Sequence, residues 1–422
     1  MTRRLAVALA VAVAAGAAVA LAVGLVESDP EPPALRSSEL SADAFVDSIG
    51  VVTHLSYTDT AYGRQPEVIE RLRELGVRHI REAAPPRIGP LTDGLRAARA
   101  VGIRATLGSG DLASDPAAWV ADSLAVMGDA VGGFEAPNEL DNGGDPAWPQ
   151  KLSSYMPALA AAVREQAPGV PVIGPSFIDP ASRARIPGDL PGLFNGHPYS
   201  GGEPPEGALA QALSERRATM PRRGAMFTET GYHNALAATT GQPPASEEAA
   251  AVYLPRLLAT AFGAGVRRTF VYELLDEQPD PGLANSEQHF GLLRNDLSPK
   301  PAFTAIQTLI AALRSTPGPR AGGQLAWELS TDGDEQIERL TLARPDGSRA
   351  IALWRPVSVW DRDARHALDP GRVTVELSFG GLGARDIEVW RPSLSAEPVL
   401  RRQRAQRLAL ELEGDLVLVS LR

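Results

Sequence analysis

The chain has 422 residues, 44% of them hydrophobic and 22% charged, enough to bury a full-sized core in one large domain plus a smaller one. Its formal charge of -10 lacks the basic face that a phosphate backbone requires and argues against nucleic acid as a partner. There is no cysteine, which excludes a disulfide framework, a lipid-modified cysteine and a thiolate metal site together.

The chain opens with Arg3 and Arg4, then an apolar run over residues 5–26, then a charged, proline-rich stretch over 27–33. An apolar run of about 20 residues is long enough to cross a bilayer, and basic residues before it stay on the inner side. Residues 1–30 therefore read as a signal peptide or an N-terminal membrane anchor that places the rest outside the cytoplasm. Ala18-Val19-Ala20 offers a cleavage point, so a secreted and an anchored form both stay open. Residues 31–47 read as a linker.

From 48 to 316 short apolar runs alternate with longer segments of helical periodicity, the pattern of βαβ units. Strands are expected at 51–55, 77–81, 103–107, 132–137, 170–174, 193–197, 225–229 and 269–272. Helices are expected at 66–75, 92–101, 115–130, 148–167, 206–217, 246–263 and 300–313, with only a weakly helical connection after the fifth strand. Pro66 suits a first helical turn and Gly76 the position after the last. Eight such units in this length predict a (β/α)8 barrel of the α/β class. A doubly wound open sheet is the alternative, but the first strand is not followed by a glycine-rich phosphate turn. Beyond residue 320 the texture changes to short alternating runs at 337–343, 350–354, 373–379, 387–390, 409–413 and 417–421. Residues 320–422 thus read as a small all-β sandwich.

Active sites of such barrels form at the C-terminal strand ends, so polar residues that close apolar runs are the ones to weigh. The fourth run closes in Asn138-Glu139 just past a proline, and the seventh closes in Glu229 ahead of Gly231, which permits a sharp turn. Either acid alone reads as easily as a solvated surface group. Together they match what cleavage of a glycosidic bond with retention demands: two carboxyl groups about 5 to 5.5 Å apart, one nucleophilic and one donating a proton. Glu229 is expected as the nucleophile, kept ionised by donors, and Glu139 as the acid/base, protonated at rest. Arg81 at the end of the second run is a candidate donor to the nucleophile; its bland alternative is a surface salt bridge with Glu82. Alternation puts Arg81 on a face with His79 and opposite Glu82. Asn138 has an amide able to hold a sugar hydroxyl beside the reacting carbon. His197 and Tyr199 close the sixth run, and His54 closes the first less tellingly. Tyr272 and Glu273 close the eighth, where Tyr272 offers a face to a sugar ring. Trp148, after the fourth strand, is read as a platform of the same kind or as helix packing.

These residues resemble the clan A glycoside hydrolases, in particular their families 39 and 5, over roughly residues 48 to 310. The Asn-Glu pair that carries the acid/base in that clan is similar to Asn138-Glu139, and its nucleophile to Glu229. Its second-strand arginine is similar to Arg81 and its sixth-strand His-x-Tyr to His197 and Tyr199. The segment His289-Phe-Gly-Leu-Leu-Arg-Asn-Asp-Leu-Ser-Pro-Lys300 resembles the clan's approach to the last helix. Many members place a tryptophan at the eighth strand end, where this chain has Tyr272-Glu273. The resemblance implies a retaining hydrolase of extracytoplasmic β-linked poly- or oligosaccharide or glycoconjugate, working without metal or organic cofactor. A non-catalytic carbohydrate-binding barrel of the cell surface is the alternative. A metal-dependent hydrolase is disfavoured, because among six His no His-x-His or His-Glu-x-x-His pair occurs.

Overall fold

The computed structural model describes residues 33–83, 89–314, 325–331, 333–380 and 385–421. The apolar run at 5–26 and its cleavage point lie outside the described residues, among which no helix is long and apolar enough to cross a membrane.

The described chain begins with a two-residue strand β1 (Leu40–Ser41) and a short helix α1 (Ala42–Asp47), whose first turn is capped by the Ser41 hydroxyl accepting from Ala44 N. This corrects the end of the expected linker. Six helical residues are too few to print a 3.6-residue period, yet Phe45 is fully buried and stacks on Phe262 with ring centroids 4.9 Å apart.

Eight strands follow: β2 (Ile49–Val52), β3 (His79–Ala83), β4 (Arg104–Gly108), β5 (Val131–Glu135), β6 (Val172–Ile173), β7 (Phe194–Gly196), β8 (Ala225–Thr230) and β9 (Thr269–Val271). They lie in the order β6-β5-β4-β3-β2-β9-β8-β7, all neighbours parallel, and a parallel bridge between Ile173 and Leu193 closes the ring. The expected (β/α)8 barrel is present. Its outer helices are α2 (Gln65–Leu75), α3 (Pro90–Ala100), α4 (Pro116–Met127), α5 (Trp148–Gln166), α6 (Pro205–Thr219), α7 (Glu247–Gly263) and α8 (Pro301–Leu313). Six of these start with proline in the first turn, where a missing N–H costs nothing. The weakly helical connection after the fifth strand holds only a 3-10 turn, Pro180–Arg185.

Inside the ring, Val52, Ile173, Met226 and Phe270 form a dry plug. Gly50 makes room for it: a Cβ there would stand 2.4 Å from the Phe270 ring. Below the plug, at the N-terminal end, Asp47 binds His79 Nε2 at 3.0 Å and Arg268 NH2 at 3.2 Å. The hydrogen bond from His79, aided by Arg268, holds the Asp47 carboxyl below the usual carboxylate range.

The C-terminal part has strands β10 (Ala326–Thr331), β11 (Glu338–Ala343), β12 (Arg349–Trp354), β13 (Trp360–Asp361), β14 (His366–Ala367), β15 (Val373–Gly380), β16 (Arg385–Trp390), β17 (Leu400–Ala405), β18 (Arg407–Leu412) and β19 (Val417–Leu421). They make a six-stranded sheet, β1-β11-β12-β19-β16-β17, and a three-stranded one, β10-β15-β18, with β13 and β14 as a separate hairpin. Val375, Leu377 and Phe379 of β15 meet Ile351, Leu353 and Val419 in one buried cluster, the core of a β-sandwich. Fully buried Arg256 of α7 ties the sandwich to the barrel. It grips Glu206 of α6 at 2.7 and 3.0 Å and donates to Val357 O at 2.7 Å and Gly414 O at 2.9 Å. Arg344 does the same from the other side, donating to the last carbonyls of α8 at Ala312 and Leu313.

Candidate active site

Two of the strand ends carry the acids singled out above. Past β5 the chain runs through Pro137 to Glu139, whose backbone sits in the left-handed region at φ 40°, ψ 53°. That conformation costs a non-glycine residue about 1–2 kcal/mol. It persists because Glu139 O accepts from Asn142 N at 2.9 Å and Glu139 N reaches Ser176 Oγ at 3.4 Å. Glu229 is the penultimate residue of β8. The glycine after it serves close approach rather than a left-handed turn, since a Cβ on Gly231 would lie 2.3 Å from Tyr272 O.

Glu139 and Glu229 each place a carboxylate oxygen within 4.8 Å of the other and of a His197 ring nitrogen. His197 Nδ1 lies 2.9 Å from Glu139 Oε1 and 3.5 Å from Glu229 Oε2, and its Nε2 lies 3.0 Å from Thr228 Oγ1. Arg81 NH1 donates to Glu229 Oε1 at 2.5 Å and the Tyr199 hydroxyl donates to Glu229 Oε2 at 3.0 Å, so both oxygens of this carboxylate are held. Burial opposes the Glu229 charge, but His197, Arg81 and the Tyr199 bond outweigh it and hold this carboxyl below the ordinary range. For His197 burial opposes protonation, and the two neighbouring acids prevail and raise it. The Tyr199 phenol is pushed well up by burial and by Glu229, so it remains a donor.

Arg81 serves two acids at once. Beyond Glu229 it forms a two-pronged pair with Glu135, from Nε to Oε2 at 2.7 Å and from NH2 to Oε1 at 3.0 Å. Glu135 has no exposed surface and also accepts from Thr228 Oγ1 at 2.9 Å and Asn195 Nδ2 at 3.1 Å. Arg81 NH2 further donates to Asn138 Oδ1 at 2.9 Å, where Ser176 Oγ donates too, at 3.3 Å. These two donors occupy the carbonyl end of Asn138 and fix how its amide is turned. Glu82 points the other way, as alternation requires, and accepts from Leu55 N, Thr53 Oγ1 and Ala83 N at 2.8 to 2.9 Å. Burial pushes its carboxyl up to about 7.

Sequence reasoning missed Glu135, Asn195 and Thr228. Each sits inside an apolar run, and an acid so placed is itself a signal, because a carboxylate goes fully inside only with a partner.

On the side of β2 and β9 an aromatic wall borders these acids. Tyr272 meets the rings of Tyr199, His54 and Phe290 edge-on at 6.4, 5.8 and 5.2 Å. His54 stacks on Tyr57 at 4.7 Å, and burial depresses its pKa to about 4, so the ring is neutral. Two expected sugar contacts are corrected. Glu273 has no exposed surface and stands behind the wall, accepting from the Tyr62 hydroxyl at 2.8 Å. Trp148 is 2% exposed: it begins α5 facing inward, packs on Phe177 with centroids 5.3 Å apart and lies under the Arg185 guanidinium. The helix-packing alternative describes it. The segment after Glu287 braces the wall from below, where Lys300 Nζ, 2% exposed, donates to Asp276 Oδ1 at 2.8 Å, Asn234 Oδ1 at 3.2 Å and His289 O at 3.2 Å.

No protein-family model matches the sequence, and no curated protein does. Among solved structures, a family 39 glycoside hydrolase from the gut symbiont Bacteroides cellulosilyticus WH2 superposes with a TM-score of 0.61 at 15% identity, over 91% of this chain and 82% of that one. A glucosidase from Croceicoccus marinus gives 0.54 at 14% identity, over 84% and 91%. A GH39 β-xylosidase from Caulobacter crescentus gives 0.50 at 16%, over 93% and 98%. At these identities the likeness is one of fold. The superpositions take in 84 to 93% of this chain, so the fold is one that occurs among glycoside hydrolases, as the resemblance implied for the barrel.

Proposed function

We propose that this chain is a retaining O-glycosyl hydrolase of β-linked poly- or oligosaccharide or glycoconjugate, with Glu229 as nucleophile and Glu139 as acid/base. One observation carries this: Glu139 and Glu229, brought from β5 and β8, approach within 4.8 Å through their carboxylate oxygens. That spacing fits the roughly 5–5.5 Å of retaining sites and leaves no room for the water that separates carboxyls about 6.5–9.5 Å apart in inverting ones. Glu229 attacks the anomeric carbon while Glu139 gives its proton to the departing oxygen, forming a covalent glycosyl-enzyme. Glu139 then takes a proton from the water that releases the sugar and restores both acids. Arg81 and Tyr199 keep Glu229 charged before attack, His197 keeps the two acids in place, and the Asn138 NH2 faces the sugar hydroxyl beside the reacting carbon. The scheme calls on no metal or organic cofactor. Residues 5–26 carry the chain out of the cytoplasm, with cleavage or anchoring as the two fates.

The test is anion rescue. Glu229→Ala and Glu139→Ala each abolish release of an aryl leaving group from the β-glycoside that the native protein cleaves. Azide restores turnover to both, giving the inverted glycosyl azide with the first and the retained one with the second. Full activity in either variant ends the assignment, and sugar affinity without turnover on any aryl glycoside favours the non-catalytic barrel.

A further inference from the structure

Behind the aromatic wall lies a second cluster of ligand-type atoms that the hydrolytic scheme does not use. A ring nitrogen of His54 and one carboxylate oxygen each of Glu273 and Glu277 lie within 4.8 Å of one another. In the acid pair beside it, Glu229 has both oxygens bonded and Glu139 is held by His197, so that polar set satisfies itself. Here the opposite holds. His54 Nε2 and Glu273 Oε1 are both buried without a hydrogen-bond partner, and Glu273 has no exposed surface at all. A buried carboxylate oxygen and a buried imidazole nitrogen left unpaired each cost free energy that a ligand would recover. No cation offsets these acids either: among the described residues no lysine or arginine is recorded in an ion pair with Glu273 or Glu277, and His54 Nε2 lies 3.6 Å from Glu273 Oε2.

We propose that His54, Glu273 and Glu277 form a binding site for a divalent cation of the zinc type. One imidazole and two carboxylates are a donor set that zinc accepts in three-ligand sites, and the imidazole disfavours calcium and magnesium. The ligands are braced as a metal site requires. The Tyr62 hydroxyl donates to Glu273 Oε2 and fixes that carboxylate, while Tyr57, Tyr62 and Tyr272 hold the His54 ring on three sides. The partly exposed Glu277 leaves a way in from solvent. No local motif marks the set, because its members come from two distant stretches, after β2 and after β9.

The proposal stands whether or not the chain cleaves a glycoside, and so does its test. The full-length chain, stripped with EDTA, is titrated calorimetrically with zinc chloride and with calcium chloride. Zinc binds once per chain and calcium gives no saturable heat. His54→Ala and Glu277→Gln each weaken zinc binding at least about tenfold, while Glu139→Gln leaves it unchanged. Should His54→Ala fail to fold by circular dichroism, Glu277→Gln decides. No saturable zinc binding, native affinity in Glu277→Gln, or loss in Glu139→Gln with retention in His54→Ala each overturns the site.

Discussion

Tyr199→Phe deletes a single oxygen and isolates what holds the proposed nucleophile in its charged form. The hydroxyl donates to Glu229 Oε2 at 3.0 Å, and the Glu229 side chain is only 12% exposed, so water cannot take over the bond. A hydrogen bond to a charged group contributes about 1.5–3 kcal/mol, a factor of about 10 to 150. The bond favours the carboxylate over the acid, so its loss lets Glu229 bind a proton more tightly by that factor. Glu229 is depressed in the folded protein, which means its contribution to stability is complete above the ordinary carboxylate range and disappears as pH falls through the folded value. In Tyr199→Phe that contribution is smaller and is exhausted at a higher pH, and native and variant proteins converge at the acid end. Two assays read this. The acid limb of kcat/KM on an aryl glycoside moves toward neutrality, with at least about a tenfold loss on its acid flank. Urea unfolding shows a stability gap at neutral pH that closes in acid. A limb that stays in place, with a gap that persists unchanged in acid, refutes Tyr199 as donor to an ionised Glu229.

Three further substitutions probe the frame. Lys300→Met leaves Asp276 buried without its cation and costs about 3–5 kcal/mol, seen as an early urea midpoint; a change under about 1 kcal/mol contradicts the bracing role. Glu139→Asn relieves the left-handed backbone, so it raises stability by about 1 kcal/mol while abolishing turnover, and a lower melting temperature counts against stored strain there. Gly231→Ala forces a methyl against Tyr272 O, costs about 1–3 kcal/mol or more and lowers kcat through Glu229; an unperturbed kcat shows that the close approach does not position the acid.

The barrel was legible because its helices are long enough to print a period and its strands repeat at even intervals. What escaped notice was short or polar. Helix α1 spans six residues, and β10 and β17 are sheet edges whose sequences, Ala326–Thr331 and Leu400–Ala405, lack a strong apolar alternation because one face or both meet solvent. Among site residues, those that end runs were found and those inside runs were not. Arg81 and Glu229 close the expected runs 77–81 and 225–229, whereas Glu135 and Thr228 fall inside theirs, and nothing local announces that Arg81 spans to both acids. Trp148 shows the converse: an aromatic beside a strand end suggests a sugar platform, and only tertiary packing reveals that its ring faces Phe177. Glu273 was singled out by position, but its burial and its bond from Tyr62 come from contacts distant in the chain.

The central claim is that a glycosyl group becomes covalently attached to Glu229. Incubating the protein with a 2-deoxy-2-fluoro β-glycoside bearing a good leaving group, then mapping peptides by mass spectrometry, tests it directly. The account predicts one sugar per chain on the peptide containing Glu229, with no label in Glu229→Ala. A label on another residue, or none while the parent glycoside is hydrolysed, contradicts it.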